Sequence, residues 1–498
     1  MEQKNKKKIS TQTIIKLLLA VVLLGLSAFL LKGDVWTFWT WWLLAGVMGF
    51  AAMPVTGRLF WRFEDKGWIF SKVLAIAATG FLTWFLTAIR LIPFNALTCA
   101  AVTILCAVIC FFLLRKESKE KTECFPVDRI SLIYWEELLF FLAFLMWTYL
   151  AGFRPAAYGT EKFMDYGFME AMMRSTTLPA RDLWYSEGHI NYYYGGQYFA
   201  VFLTKLSHTK VELTYNLMRT FVAGLAFAMP FSLVYQMMSD RMKGQQKSEK
   251  VIKGLPFAAG FTAGTAVSIT GNMHYVIYAQ IIPLIEKLTG KEVSSYWFPD
   301  ATRYIGYNPY REEDRTIHEF PCYSFVLGDL HAHVVNIMFV LLVIALLYVW
   351  LRGVRKKTVP VETSMKDGKF WKEQLLMPHL LVISALLGMF QWTNFWDFVI
   401  YYVVTLGTVL FANIIRFQGK IKKIMVVTFA QMAEIYLLAY LVILPFTLQF
   451  DTMVDGIGIA KYHSYFYQLL VLWGLPAVLT ITFVISILWE KLRGMEHK

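Results

Sequence analysis

Two short stretches gather the polar residues of an otherwise apolar chain. The first, EKFMD, sets Glu161 and Asp165 four residues apart, so that on a helix they share one face. A carboxylate aimed at a bound hydroxyl can take its proton as a general base. The other reading of the same spacing is an amphipathic helix with a solvated acidic face, its Phe163, Tyr166, Phe168 and Met169 buried in the membrane interface. The second stretch, GDLHAH, puts Asp329, His331 and His333 at alternate positions. They point the same way if the segment is extended, whereas in a first helical turn only Asp329 and His333 share a face. Carboxylate plus imidazole suits a divalent ion, with Mg or Mn the expectation. A helix cap at Asp329 with hydrogen-bonded histidines is the alternative, and direct contact with a substrate phosphate or hydroxyl is a third.

Arg303, Arg311, Arg315 and Lys461 offer cations to a phosphate, and each can equally pair with the acids of the REED run. Glu319, His463, Asn191 and Asp397 complete the candidate substrate contacts. Tyr192, Tyr193 and Tyr194 read either as an interfacial aromatic belt or as the wall of a sugar or lipid cavity. Asp182, which follows the proline of LPARD, reads as a loop brace. No phosphate-binding glycine loop, dinucleotide fingerprint or nucleophile elbow is present.

These residues need elements to hold them, and the composition says of what kind. With 57% of 498 residues hydrophobic, 17% charged and a mean hydropathy of +0.48, the chain exceeds the roughly 45–50% apolar content of soluble domains. It reads as an all-α polytopic membrane protein. The net charge of +13 comes from basic clusters between apolar runs, which is the pattern of orientation signals and speaks against nucleic acid. The five cysteines show no paired framework. The start, MEQKNKKK before an apolar stretch, lacks a small-residue cleavage site and reads as a retained first helix.

Apolar runs long enough to cross about 30 Å of hydrocarbon fall near 13–31, 36–53, 68–89, 93–114, 134–151, 214–238, 255–271, 335–351, 376–391, 395–415, 425–446 and 466–488, which makes twelve expected transmembrane helices. Basic clusters at the N-terminus, 58–66, 115–129, 241–253, 352–372, 416–423 and 491–498 alternate correctly if all are cytoplasmic, with both termini inside. The run 195–207 is too short to span and would break that alternation, so it reads as an interfacial or re-entrant helix on the outer side, its aromatics at headgroup level. Outer loops then lie near 152–213, 272–334 and 447–465 and carry seven of the nine histidines. That side is the expected site of chemistry.

EKFMD, the P-x-x-D-x-W of 179–184, INYYYGGQY (190–198), HEFPCYSFVLGDLHAH (318–333) and NFWDF (394–398) together resemble the YYY family of bacterial and archaeal membrane proteins over about residues 130–460. Val399 stands where that family has proline, and His318 where asparagine is common. The family in turn is similar to the GT-C superfamily of integral-membrane glycosyltransferases, which take sugar from a polyprenyl-phosphate carrier outside the membrane. The resemblance implies a catalytic acid early in the first large outer loop, the place of Asp165, followed by interfacial helices. It implies a GT-C-like core over 131–498 behind an N-terminal four-helix addition over 1–130. The implied activity is transfer of a sugar from a polyprenyl-phosphate donor to a hydroxyl of a glycan, glycolipid or cell-wall polymer at the extracytoplasmic side of the cell membrane. A transporter or flippase of a lipid-linked glycan, or a non-catalytic assembly partner, is the alternative.

Overall fold

The computed structural model describes residues 10–120, 124–243, 249–354, 365–452 and 458–496. Parts of the basic clusters at the N-terminus and in 115–129, 241–253, 352–372 and 491–498, and part of the expected loop 447–465, lie outside these residues. The described chain is helical: α1 (Thr11–Leu31), α2 (Val35–Leu59), α3 (Trp68–Ala88), α4 (Ala96–Glu120), α5 (Ile130–Ala151), α6 (Lys162–Arg174), α7 (Gly195–Ser207), α8 (Val211–Met242) and α9 (Glu249–Ser268) come first. Then follow α10 (Met273–Tyr275), α11 (Ile282–Leu288), α12 (Pro321–Leu327), α13 (Ala332–Val354), α14 (Gly368–Leu375), α15 (Pro378–Thr393), α16 (Phe395–Phe417), α17 (Ile421–Val442), α18 (Leu444–Thr447) and α19 (Phe466–Glu496). The chain divides into two compact units, Met1–Ser268 with Phe325–Asp451, and Ile269–Ser324 with Thr452–Lys498.

Among the described residues nine helices are long and apolar enough to cross a membrane, or ten if the bent pair Gly368–Leu375 and Pro378–Thr393 is one span. Three places separate that count from the twelve expected runs. The runs 13–31 and 36–53 form one continuous helical stretch, Thr11–Leu59, but the chain turns back at Lys32 (φ 50°), so that α1 and α2 are two separate helices. Trp39 Nε1 donates to Ser27 Oγ at 3.0 Å across that turn, where a straight helix would hold the two residues about 18 Å apart. The run 255–271 falls in α9, which ends at Ser268 and whose side chains are described only from Gly254. Gly260 and Gly264 lie so close to α8 that a β-carbon on either would meet the Phe231 or Phe227 carbonyl oxygen at 2.7 or 2.6 Å, a small-xxx-small contact between helices. The run 376–391 falls in the sixteen-residue α15, which reaches spanning length only with α14, bent from it by 52°.

In the first unit α8 is the centre, packed on α5, α9 and α13, while α15, α16 and α17 form a second layer on α13. The spans bury charge as well as hydrocarbon. Lys72, without exposed surface, pairs with Glu137 at 3.0 Å, and the Trp42 and Trp68 indoles donate to the same carboxylate at 2.7 and 2.9 Å. Buried cations and carboxylates inside spans are tolerated when so partnered.

Helix α7 corrects the interfacial alternative, with aromatics at headgroup level, and leaves the re-entrant one standing. Its thirteen residues reach only about 20 Å, too short to span, yet it is not laid at an interface. Every residue from Gly195 to Lys205 is buried, and Tyr198, Phe199 and Phe202 have no exposed surface. The glycine pair makes this possible: a β-carbon on Gly195 would sit 2.7 Å from Thr393 Cγ2, and one on Gly196 3.2 Å from Val335 Cβ. The motif YYYGGQY thus seats a short helix inside the helical bundle.

The second unit is built on aromatic rings. His274 stacks on Tyr278 at 4.4 Å, the Tyr278 and Tyr304 hydroxyls lie 2.6 Å apart, and Tyr304 and Ile305 pack with Val471 and Leu472 of α19. Tyr467 Oη and Gln468 Nε2 both donate to the Asn308 carbonyl at 2.7 Å, fastening the loop to the start of α19.

Candidate functional site

Helix α6 is amphipathic, and its inward face runs Asp165, Phe168, Met169 and Met172, the i, i+3, i+4, i+7 stripe of a buried helix side. Asp165 therefore stands on the apolar face, with no exposed surface, while Glu161, just before the helix, is exposed. Phe163 is 58% exposed on the protein surface, the side on which a membrane interface would cover it. The pair is not a solvated acidic face: one carboxylate is inside and one outside.

Gln197 of α7 donates through Nε2 to Asp165 Oδ1 at 2.7 Å, and Asp165 Oδ2 is buried without a hydrogen-bond partner. Burial pushes the Asp165 carboxyl up to about 7, with Asp329 and Glu161 adding to the rise and His331 and the Gln197 hydrogen bond opposing it. Tyr192, half-buried and stacked 4.1 Å from Tyr193, is raised by burial, with smaller contributions from Tyr193, Asp165 and Glu161.

The GDLHAH segment reaches the same place from α13. Gly328 takes φ +95°, and residues 329–331 lie outside any helix before α13 starts. Leu330 is held on both sides: its N–H donates to the Tyr215 hydroxyl at 3.4 Å, and its carbonyl accepts from Gln197 Nε2 at 3.0 Å. Asp329, 1% exposed, accepts from the Thr160 hydroxyl at 2.6 and 2.7 Å. His331 Nε2 lies 2.8 Å from Glu161 Oε2, and its Nδ1 lies 3.7 Å from Asp329 Oδ2. The His333 ring stacks beside that of His331, 5.6 Å between centres.

Two cations close the cluster. A β-carbon on Gly328 would sit 3.1 Å from Arg219 Nη1 and 3.2 Å from Lys162 Nζ, and the φ of +95° favours glycine there. Arg219 donates to the Phe325 carbonyl and to Asn216 Oδ1, and its Nε is buried without a partner. Burial lowers the Lys162 ammonium from its ordinary value, although Asp329 nearby raises it.

The expected residues therefore separate into three groups. Glu161, Asp165, Asp329, His331 and His333 come together, with Tyr192 electrostatically linked and Tyr193 stacked on it. Elsewhere in the first unit, Tyr194 is buried with its hydroxyl accepting from Trp84 Nε1 at 3.0 Å, and Asn191 exchanges two hydrogen bonds with the Asp451 backbone at 2.9 and 3.0 Å. Asp397 accepts from Asn336 at 2.6 Å and from Asn394 at 2.9 Å. Arg303, Arg315, Glu319, Lys461 and His463 belong to the second unit. There Arg303 lies over the Trp297 ring and Arg315 bonds the Tyr310 hydroxyl and lies 4.6 Å from its ring, so tyrosine and tryptophan, not the REED acids, are the partners of these arginines. Glu319 accepts from Ser324 at 2.9 Å. Among the described residues no group of three His, Cys, Asp or Glu side chains is arranged to hold a metal ion. The expected Asp329, His331 and His333 set does not fit one, because His331 turns its Nε2 to Glu161 and Asp329 is taken up by Thr160. Asp182 braces its loop as expected, accepting from the Trp184 and Tyr185 N–H groups at 2.8 and 2.9 Å.

Thr160, Lys162, Gln197 and Arg219 were not singled out by sequence reasoning. Arg219 carried a signal, being an ionised residue in the middle of an apolar span.

Residues 78–498 match the family described as uncharacterized membrane protein, DUF2298. The chain belongs to that family. No curated protein and no solved structure matches it. The DUF2298 region takes in every residue of the cluster and the whole of the second unit, and it begins inside α3, after the first 77 residues of the first unit.

Proposed function

We propose that this DUF2298 chain is a membrane glycosyltransferase of GT-C type, moving a sugar from a polyprenyl-phosphate donor to a hydroxyl of a glycan, glycolipid or cell-wall polymer at the extracytoplasmic side. The observation that carries the reading is Asp165: a buried carboxylate with one oxygen oriented by Gln197, the other without a partner, and its proton affinity raised to about 7. A general base works best with a pKa near the working pH, and strongly perturbed acids mark functional sites.

In the step proposed, the acceptor oxygen forms a bond to the anomeric carbon while the bond from that carbon to the phosphate oxygen breaks. The electron pair leaves with the lipid phosphate, and the acceptor proton passes to Asp165 Oδ2. Lys162 and Arg219, both close to Gly328, supply cationic contacts for the departing phosphate, a role first expected of Arg303, Arg315 or Lys461. Glu161 and His331 form a hydrogen-bonded pair that orients the acceptor. Asp165 has no exposed surface, so the acceptor reaches it only when neighbouring half-buried side chains such as Tyr192 or His331 move.

The transport reading draws on a different place. Asp65 and Glu136 are both buried in the helical bundle, and buried acids among spanning helices are a feature of proton-coupled carriers. One experiment separates the two. The full chain in lipid nanodiscs is given a panel of tritiated polyprenyl-phosphate hexoses with envelope glycan as acceptor. Label appearing in the glycan supports transfer, whereas movement of an intact lipid-linked sugar across vesicle membranes without label transfer contradicts it.

A further inference from the structure

A second site lies at the far end of α13 from the acidic cluster, and it does not depend on the glycosyltransferase reading. The 23 residues of α13 place Trp350 and Gly353 roughly 30 Å along the helix from His333, and these two residues line a cavity of about 920 Å³ together with Arg58, Trp61, His379 and Arg416. A second cavity of about 640 Å³ runs between α2, α3, α4 and α15, with walls that are almost wholly apolar, such as Ala78, Ala107, Leu386 and Met389. Val55 and Leu59 line both, so the apolar cavity and the basic one adjoin.

Arg416 gives this arrangement its chemistry. It is 6% exposed, and its guanidinium donates to Gln374 Oε1 at 2.6 Å and to Asn413 Oδ1 at 3.2 Å, with the Phe417 ring 5.3 Å away. Asn413 is itself fixed by Thr428 and Gln431, and Gln431 by the Gln374 carbonyl. These uncharged partners orient the cation without neutralising it, and Arg416 Nε is buried with no partner. Glu373, the acid of the lining, is exposed and forms no ion pair with it. Among the described residues no acid pairs with it; a buried cation is stabilised when an anion completes it, and arginine suits phosphate in particular.

We propose that the two cavities form one site for an anionic phospholipid, its phosphate at Arg416 and its chain in the apolar cavity between α2, α3, α4 and α15. By the basic clusters that flank these helix ends, the lipid comes from the cytoplasmic leaflet. The occupant is a lipid and not a free anion because the basic cavity adjoins an almost wholly apolar one walled by α2, α3, α4 and α15.

The full chain in neutral detergent is titrated with phosphatidylglycerol, with phosphatidylcholine and with glycerol phosphate, and bound species are counted by native mass spectrometry. Phosphatidylglycerol is expected to be retained about tenfold more tightly than phosphatidylcholine, with glycerol phosphate weaker than either. Arg416→Gln is expected to remove that preference. Ala78→Phe, which changes an exposed cavity residue and leaves the buried network intact, is expected to weaken both lipids about equally while thermal unfolding stays unchanged. Equal binding of the two lipids to the parent protein, unchanged phosphatidylglycerol binding by Ala78→Phe, or glycerol phosphate binding as tightly as the lipid would each overturn the proposal.

Discussion

Gln197 Nε2 donates to Asp165 Oδ1 at 2.7 Å and to the Leu330 carbonyl at 3.0 Å. One side-chain nitrogen of α7 thus ties the carboxylate of α6 to the GDLHAH segment before α13. A hydrogen bond to the ionised form lowers a carboxyl pKa, so Gln197 restrains the rise that burial imposes on Asp165. Gln197→Leu removes that restraint. The acid limb of the pH–rate profile for sugar transfer should then move alkaline by roughly one pH unit; an unmoved limb would mean that Asp165 is not the titrating base.

Stability should respond to Asp165 in the opposite sense from activity. Its folded carboxyl lies near 7, above the ordinary unfolded value near 3.9. Between those values the folded state holds a proton that the unfolded chain has lost, so Asp165 subtracts stability as pH rises from about 4 to about 7. Asp165→Asn carries no charge to bury. Its melting temperature in detergent should exceed that of the parent at pH 8 and match it at pH 4, with a gain at high pH of order a few kcal/mol at most.

Thr160 holds a left-handed backbone (φ 49°) that a β-branched residue rarely adopts, and its hydroxyl serves both oxygens of Asp329. Residues held in such conformations cluster at functional sites. Thr160→Val keeps the shape and loses the donor, leaving a buried carboxylate short of a hydrogen bond, at a cost of about 1–3 kcal/mol. Thr160→Ser should be near neutral. Thermal unfolding of the two variants in the same detergent checks the difference.

The seat of α7 can be tested apart from any chemistry. Gly196→Val forces side-chain atoms into Val335, already 3.2 Å from where a β-carbon would stand, and should sharply reduce folded protein on size exclusion. Gly254→Ala, where nothing lies within 4 Å, should leave the elution profile unchanged. Equal behaviour of the two would mean that α7 is not packed as described.

Hydrophobic runs make the long helices legible in the sequence, because bilayer thickness demands them. Each run falls in a helix, but where the helices turn or bend, as at Lys32 and between α14 and α15, is set by their neighbours. Asp165 and GDLHAH were legible by residue type, and the structure brings them together. Their inward orientation was not: the spacing of Glu161 and Asp165 gives one shared face, but the apolar stripe of Phe168, Met169 and Met172 decides which of the two is buried. The cations were misplaced for a similar reason. Arg303 and Arg315 lie near acids in sequence yet stack on rings, whereas Lys162 and Arg219 meet only through the close turn at Gly328.

The central claim is that Asp165 takes the acceptor proton. Asp165→Asn and the parent chain are compared in nanodiscs for transfer of tritiated sugar from the polyprenyl-phosphate donor that the parent uses, with donor binding measured alongside. Turnover should fall roughly 10²- to 10⁴-fold while donor binding stays within about twofold, since the amide keeps the shape and removes the base. Transfer at near the parent rate by Asp165→Asn would contradict the account and move the base elsewhere, first to Asp329.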